Sequence, residues 1–313
     1  MSVFTTVTPE DLAPFLKRYA IGSLLELKGI AAGITNTNYF VTTTHGRYVL
    51  TLFETLHADE LPFYVNLLAH LAHHGIASAA PIANFADDYI DTLNGRPTLL
   101  VNCLPGAVID SPNAAQAAQV GEMLAQMHLA AQSYAGRMAN PRDLAWWTDT
   151  AEQVYAQMPV ADATLLREQL ALQARTSYAD LPHGIVHADL FRDNVLIDGD
   201  KVGGFIDFYY ACNDAFLYDV AITLNDWCVT DDGDIDAARA RAFLAAYQGV
   251  RAFTPEEVVA WPLMLRGAAI RFWTSRLYDF YKPATGELTF AKDPGHFQRV
   301  LSKHLVRQDF WLA

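Results

Sequence analysis

The sequence predicts an α+β fold of two lobes, a small antiparallel β-sheet followed by a larger, mainly helical lobe. Strand-type patterns crowd the chain before residue 106, and helical periodicity dominates after it. Cys103-Leu104-Pro105-Gly106 punctuates the change, because Pro and Gly together interrupt regular structure. The boundary is placed there, giving lobes over 1–103 and 104–313. Between two apolar runs of the second lobe lies a polar stretch, Val186-His187-Ala188-Asp189-Leu190-Phe191-Arg192-Asp193-Asn194-Val195-Leu196.

The elements follow in order. Thr8-Pro9-Glu10-Asp11 opens a helix, since Thr caps, Pro suits the first turn and acids favour the positive end of the dipole. Its expected end is near Ile21-Gly22. Strands are expected over Leu24–Ile30, Tyr39–Thr43 and Tyr48–Phe53, the last two joined by a hairpin turn at Thr44-His45-Gly46-Arg47. Leu61 to His74 has apolar residues at helical spacing, with Gly75 as a stop. Further strands are expected over Pro81–Ala86 and Thr98–Asn102. An Ala-rich helix at 114–131 opens the second lobe, with helices near 149–158 and 162–178. Short strands return around Ile185, Asn194–Ile197 and Val202–Ile206, and Asn213–Trp227 reads as a helix. The last third is helical near 235–248, 254–280 and 288–304, with Pro262 as a kink or restart.

Composition excludes several functions. Hydrophobic residues make up 52% and charged residues 18%, enough for a packed core and against disorder. The formal net charge of -13 disfavours nucleic acid and anionic membrane as partners. Cys103, Cys212 and Cys228 are widely spaced, as expected for reduced thiols in a cytoplasmic protein, and have no zinc-site spacing. No signal peptide and no membrane span are expected. His70, His73 and His74 share a helix but lack acidic or thiol companions, so a polar helix end accounts for them.

The chemistry is concentrated after residue 186. Asp189 and Asn194 stand five positions apart, and Ile206-Asp207-Phe208 follows on the next strand. That order matches H-R-D-x-x-x-x-N followed by D-F-G in protein kinases. A hydroxyl nucleophile needs a carboxylate to take its proton, and a triphosphate needs Mg²⁺, which prefers oxygen ligands. Upstream, Gly29-Ile30-Ala31-Ala32-Gly33-Ile34-Thr35-Asn36-Thr37-Asn38 is a small-residue turn that suits close approach of backbone amides to phosphate. No G-x-x-x-x-G-K-[ST] motif occurs.

Taken together, the chain resembles the aminoglycoside-phosphotransferase-like branch of the protein-kinase fold, and within it the homoserine kinase family. The resemblance rests on Gly33-Ile34-Thr35-Asn36-Thr37-Asn38-Tyr39, Tyr48–Glu54, Leu61-Pro62-Phe63-Tyr64, the Asp189 loop and Ile206-Asp207-Phe208. It continues through Leu224-Asn225-Asp226-Trp227-Cys228 and Leu265-Arg266-Gly267 to Arg271-Phe272-Trp273 and Ser275-Arg276-Leu277-Tyr278-Asp279. It implies a bilobal protein-kinase-like fold, ATP and Mg²⁺ as cofactors, and phosphorylation of L-homoserine on the route to threonine. It also implies roles: Asp189 as catalytic base, Asn194 and Asp207 as Mg²⁺ ligands, His187 as a structural residue of the loop, and Asp219 as its brace. For the nucleotide it implies Gly33, Thr35, Asn36 and Asn38, with Asn102 and Cys103 offering groups to adenine.

One departure bears on the nucleotide. Kinases place a phosphate-pairing Lys on the third strand, where this chain has Thr51. Lys28 is the nearest cation in sequence to the Gly33 turn, and Glu60 or Glu54 is the nearest acid to take the partner role. A zwitterionic acceptor needs a cation for its carboxylate and an acid for its ammonium. Arg266, Arg271 and Arg276 recur about five residues apart on one helix, so at most two face one pocket. Arg271 and Arg276 are favoured, with Asp226 or Asp279 near the ammonium. An aminoglycoside would instead use acidic residues such as Asp231, Asp232, Asp234 and Asp236. Choline or another small alcohol is a further acceptor, and the missing Lys leaves a nucleotide-binding pseudokinase as the non-catalytic alternative. Oligomeric state is left open.

Overall fold

The computed structural model describes residues 5–30, 36–283 and 292–307. The expectations for Gly33 and Thr35 lie outside these residues, as does the predicted start of the last helix at 288. The chain divides into two compact units. One comprises residues up to Pro105 together with Gly203–Ile206, the other Gly106–Val202 and the chain from Asp207 onward.

In the first unit, α1 (Pro9–Leu16) is held by a capping box in which Thr8 and Asp11 satisfy one another's backbone. It stops about a turn before the predicted end: Arg18 and Tyr19 N–H bond back to Phe15 and Leu16 carbonyls in tight turns, and Gly22 follows with φ 82°. β1 (Leu24–Gly29), β2 (Asn36–Thr43) and β3 (Gly46–Phe53) come next, then α2 (Leu61–His73), β4 (Ile90–Leu93) and β5 (Arg96–Asn102). They make one antiparallel five-stranded sheet in the order β1-β2-β3-β5-β4. β2 and β3 pair from Asn36↔Phe53 to Thr43↔Gly46, so their turn is only Thr44-His45. Alternation along these strands buries Tyr39, Val41, Leu50 and Leu52 with Leu12, Phe15 and Leu16 of α1 in one core.

Two strand expectations are corrected. Pro81–Ala86 forms no strand: Pro81 makes a single bridge to Val101, and Pro cannot donate to a ladder. The edge strand is instead Ile90–Leu93, which pairs with Arg96–Leu99 across a turn containing Asn94 and Gly95, both at positive φ.

The second unit holds α3 (Ala114–Ala130), α4 (Leu144–Glu152), α5 (Val160–Gln173), β6 (His183–Val186), β7 (Val195–Asp198), the first two residues of β8 (Lys201–Phe205), then β9 (Cys212–Ala215), α6 (Phe216–Trp227), α7 (Ala237–Val250), α8 (Pro255–Tyr281) and α9 (Gly295–Val306). β6 pairs with β9, and β7 with β8. α6 begins three residues later than predicted, because Cys212–Ala215 is taken up as a partner for β6. The helix expected near 149–158 begins at Leu144, where Asp143 caps it, and breaks into a single tight turn at Tyr155–Gln157. α8 runs through Pro262 without a restart. Gly121 lets α3 approach α7, since a Cβ there would sit 2.3 Å from the Phe243 carbonyl oxygen. Trp227, Trp261, Trp273, Phe216, Phe243 and Phe297 fill the interior of this unit. Among the described residues no helix is long and apolar enough to cross a membrane.

Candidate active site

The polar stretch opens where β6 ends. Val186 is the last paired residue, opposite Cys212. The chain then passes through Ala188 at φ 61°, a left-handed conformation that a residue with a Cβ adopts only when its surroundings impose it. The carboxylate of Asp219, in the first turn of α6, imposes it. It accepts the backbone N–H groups of His187 at 2.7 Å and Ala188 at 2.9 Å. The same carboxylate accepts His128 Nε2 from α3 at 3.0 Å, and Tyr247 of α7 reaches His128 Nδ1 at 2.7 Å. Burial pushes the Asp219 carboxyl up, but the hydrogen bonds from His128 and His187 overcome this and hold it below the usual range. Burial holds His128 down despite the carboxylate beside it. The pair is therefore a neutral imidazole donating to an anion, with Tyr247 donating to the other ring nitrogen. The His187 ring packs on Phe208, centroids 4.5 Å apart.

Asp189 is placed differently. Its carboxylate receives one side-chain donor, Asn194 Nδ2 at 3.2 Å, while the same amide bonds the Asp189 carbonyl at 2.7 Å. Desolvation raises its pKa to about 7, opposed by Arg271 and reinforced by Asp207 and Asp193. Asp207 stands at φ 62°. It too is raised, by desolvation first, with His187 pulling down and Asp193 pushing up, although the residue keeps an exposed edge. Carboxylates that raise one another are relieved by a cation. The Asn194 nitrogen is turned to Asp189, which leaves its amide oxygen for such a cation. Among the described residues no group of three or more His, Cys, Asp or Glu could hold a metal by itself. Mg²⁺ usually takes one or two carboxylates and completes its shell with water and phosphate oxygens, so Asn194 and Asp207 are chemically suited to hold it.

Around this centre, Asp226 (5% exposed) accepts the Arg192 N–H at 2.7 Å and Arg192 Nε at 3.1 Å, so it positions the loop between Asp189 and Asn194. Arg271 of α8 is 3% exposed, and its Nε has no acceptor. Arg276 lies over the Phe297 ring and donates to the Asp293 carbonyl at 3.1 Å. Asp279 is exposed, and its carboxyl is raised by desolvation against the pull of Arg142 and Arg271. Arg266 points elsewhere, to the His304 carbonyl. Lys292, absent from the sequence reading, pairs with Asp193 at 2.5 Å and draws down both Asp189 and Asp207. The acidic run is already occupied: Asp232 and Asp234 meet Lys303, Asp234 also meets Arg307, and Asp236 caps α7.

In the first unit, Thr51 donates to Asn38 Oδ1 at 2.8 Å, so a neutral pair stands where a kinase would carry its cation. Asn36 is 7% exposed with its Oδ1 unbonded, and Lys28 is exposed. Asn102 is tied to Ala80 by side chain and backbone, and the Cys103 N–H bonds the Arg47 carbonyl. Glu54 is engaged by Thr37 and Arg96, and Glu60 accepts the His57 N–H. His128, Arg142, Tyr210 and Lys292 were not singled out as site residues from sequence. Tyr210 alone carried a signal, lying three residues after Asp207.

The chain is similar to known proteins along its whole length. Residues 26–253 match the model of the phosphotransferase enzyme family. A homoserine kinase of Methylobacillus flagellatus is 52% identical over 313 residues, covering 100% of this chain and 98% of that protein. One from Neisseria meningitidis serogroup B is 48% identical, covering 96% and 99%. Among solved structures, a spectinomycin phosphotransferase in complex with ADP and spectinomycin superposes with a TM-score of 0.72 at 12% identity, covering 96% and 99%. An amicoumacin kinase bound to AMP-PNP and Ca²⁺ gives 0.69 at 15%, covering 94% and 91%. These two show the protein-kinase-like fold. The chain belongs to the phosphotransferase enzyme family, in its homoserine kinase branch.

Proposed function

We propose that the chain transfers the γ-phosphoryl group of ATP to the hydroxyl of L-homoserine, giving O-phospho-L-homoserine and ADP on the route to threonine, in the cytoplasm. The observation that carries this reading is whole-length identity near one half to curated homoserine kinases. The site supports each step. Asp189, raised to about 7, is poised to take the hydroxyl proton near neutral pH. Asn194 and Asp207 would hold Mg²⁺, which when bound would supply neutralisation of phosphate charge. Arg271, buried with an unbonded Nε, receives the acceptor carboxylate, and Asp279 its ammonium. Arg276 lines the same helix, and Asp226 serves through Arg192. Asp219 and His187 keep the loop in shape. Asn36, Asn38, Lys28, Asn102 and Cys103, with Gly33 and Thr35, remain the proposed nucleotide contacts. Catalysis of this kind is mainly positioning and charge stabilisation.

The test is ATP turnover with L-homoserine, L-serine, choline and kanamycin, with and without Mg²⁺. Selective Mg²⁺-dependent use of homoserine is expected. Preference for kanamycin or choline sinks the acceptor assignment and leaves the phosphotransfer, whereas ATP binding with no turnover on any acceptor favours a pseudokinase.

A further inference from the structure

Among the described residues, two arginines share one aromatic shelf without a carboxylate within 4.0 Å of either, although Asp279 attracts both from farther away. The Arg142 guanidinium carbon is 4.2 Å from the Trp146 ring centroid and 5.7 Å from that of Tyr210. Arg271 is 5.6 Å from each of the same rings and 4.2 Å from Phe272. In a chain of net charge -13, acids are plentiful. Among the described residues, Arg18, Arg96, Arg192, Arg239, Arg251, Arg299 and Arg307 each have a carboxylate within 4.0 Å, and Arg142 and Arg271 are among the arginines that have none. Two like charges gathered on one surface repel, and burial of Arg271 deepens the cost.

The arrangement is nonetheless built. The Arg142 N–H is held by Asn140 Oδ1 at 2.8 Å, and its carbonyl accepts Trp147 Nε1 at 2.5 Å. Both anchors lie at the entrance to α4, next to its capping residue Asp143. Ring faces attract guanidinium groups without neutralising them, so Trp146 and Tyr210 orient the two forks and leave their donors available. Tyr210 belongs to the turn that carries Asp207, and Arg271 exerts the strongest opposing pull on Asp189. The unbonded Arg271 Nε and the part-exposed Arg142 fork therefore share rings with the turn that carries Asp207.

We infer that Arg142, held on Trp146 and Tyr210, is a second carboxylate-binding residue that acts with Arg271 and selects acceptors bearing an α-carboxylate. The inference rests on the homoserine reading above and deepens it. A carboxylate has two oxygens and about four acceptor directions, enough for two guanidinium groups at once. Its arrival replaces mutual repulsion of the arginines with charge-assisted hydrogen bonds. An amino alcohol lacking the carboxylate gains neither effect, so the two unpaired arginines discriminate against it.

The experiment compares L-homoserine with 3-aminopropan-1-ol, which is the same molecule without its carboxylate, for the full-length chain and its Arg142→Gln variant at saturating Mg·ATP. The variant should lose roughly 10- to 100-fold in kcat/KM for homoserine, chiefly through KM, and less than about threefold for 3-aminopropan-1-ol. If turnover of the amino alcohol is too slow to follow, its inhibition constant against homoserine gives the same comparison. Arg142→Lys keeps the charge without the fork and should lose an intermediate amount, which also covers the case of a poorly folded Gln variant. Equal losses on both acceptors, or a rise in KM for ATP instead, overturn the role of Arg142 alone. Failure of the unmodified chain to use homoserine at all sinks the reading on which it rests.

Discussion

Two aspartates of the same unit, the half-buried Asp189 and the fully buried Asp219, are pushed in opposite directions. Asp219 receives three donors, from His128 and from the backbone of His187 and Ala188, and its carboxyl lies below the usual range. Asp189 receives one long side-chain bond and is raised to about 7. The contrast separates scaffold from chemistry. A carboxylate whose lone pairs are filled holds a backbone in place, whereas one left under-bonded keeps an affinity for a proton. The first also maintains the second: the left-handed Ala188 that aims Asp189 is pinned by Asp219.

That comparison can be broken by substitution. Asp189→Ala should cut kcat by roughly 10²- to 10⁴-fold while the chain stays folded, because a general base is lost and no hydrogen-bond network depends on it. Steady-state turnover with a thermal melt checks both halves. Asp219→Ala should do the reverse in order of cause: it strands two buried N–H groups and His128, costing about 3 kcal/mol of stability, and activity falls because the loop loses its shape. Urea unfolding monitored alongside turnover would expose an error if stability were unchanged.

A smaller effect sharpens the contrast. A carboxyl whose folded pKa is raised costs stability at high pH: the cost is absent below the unfolded value, grows as pH rises, and is complete above about 7 for Asp189. Asp189→Asn should therefore stabilise the ligand-free chain at pH 8 by on the order of 1 to 3 kcal/mol, with the gain shrinking toward pH 5. Asp219→Asn should show no such gain, because its folded pKa is depressed and its ionised form is the stabilising one. Melting temperatures across pH decide it.

The smallest effect is kinetic. kcat/KM for Mg·ATP should fall about tenfold per unit below pH about 7, where Asp189 in the free chain protonates. With both substrates bound, kcat should keep its plateau to lower pH, since the nearby cation favours the ionised carboxylate. A limb unmoved between the two profiles would assign the titration to another group.

Sequence alone determined the α+β fold class and most helices, and it singled out Asp189, Asn194 and Asp207 as the proposed chemical kernel, because each signal is local: strands have period two, helices have caps, and the kernel has fixed spacing. It missed the hairpin strand at Ile90–Leu93, and it misplaced the start of α6, where pairing of Cys212–Ala215 with the distant β6 overrode local pattern. It ranked arginines by spacing along one helix and so could not select Arg142, which comes from another element and joins Arg271 only through shared rings. Nor could it foresee that His128, Asp219 and Tyr247 would meet, or that Asp189 would be left under-bonded. Hydrogen-bond satisfaction, burial and charge proximity are sums over neighbours far apart in the chain, and only the tertiary structure supplies them.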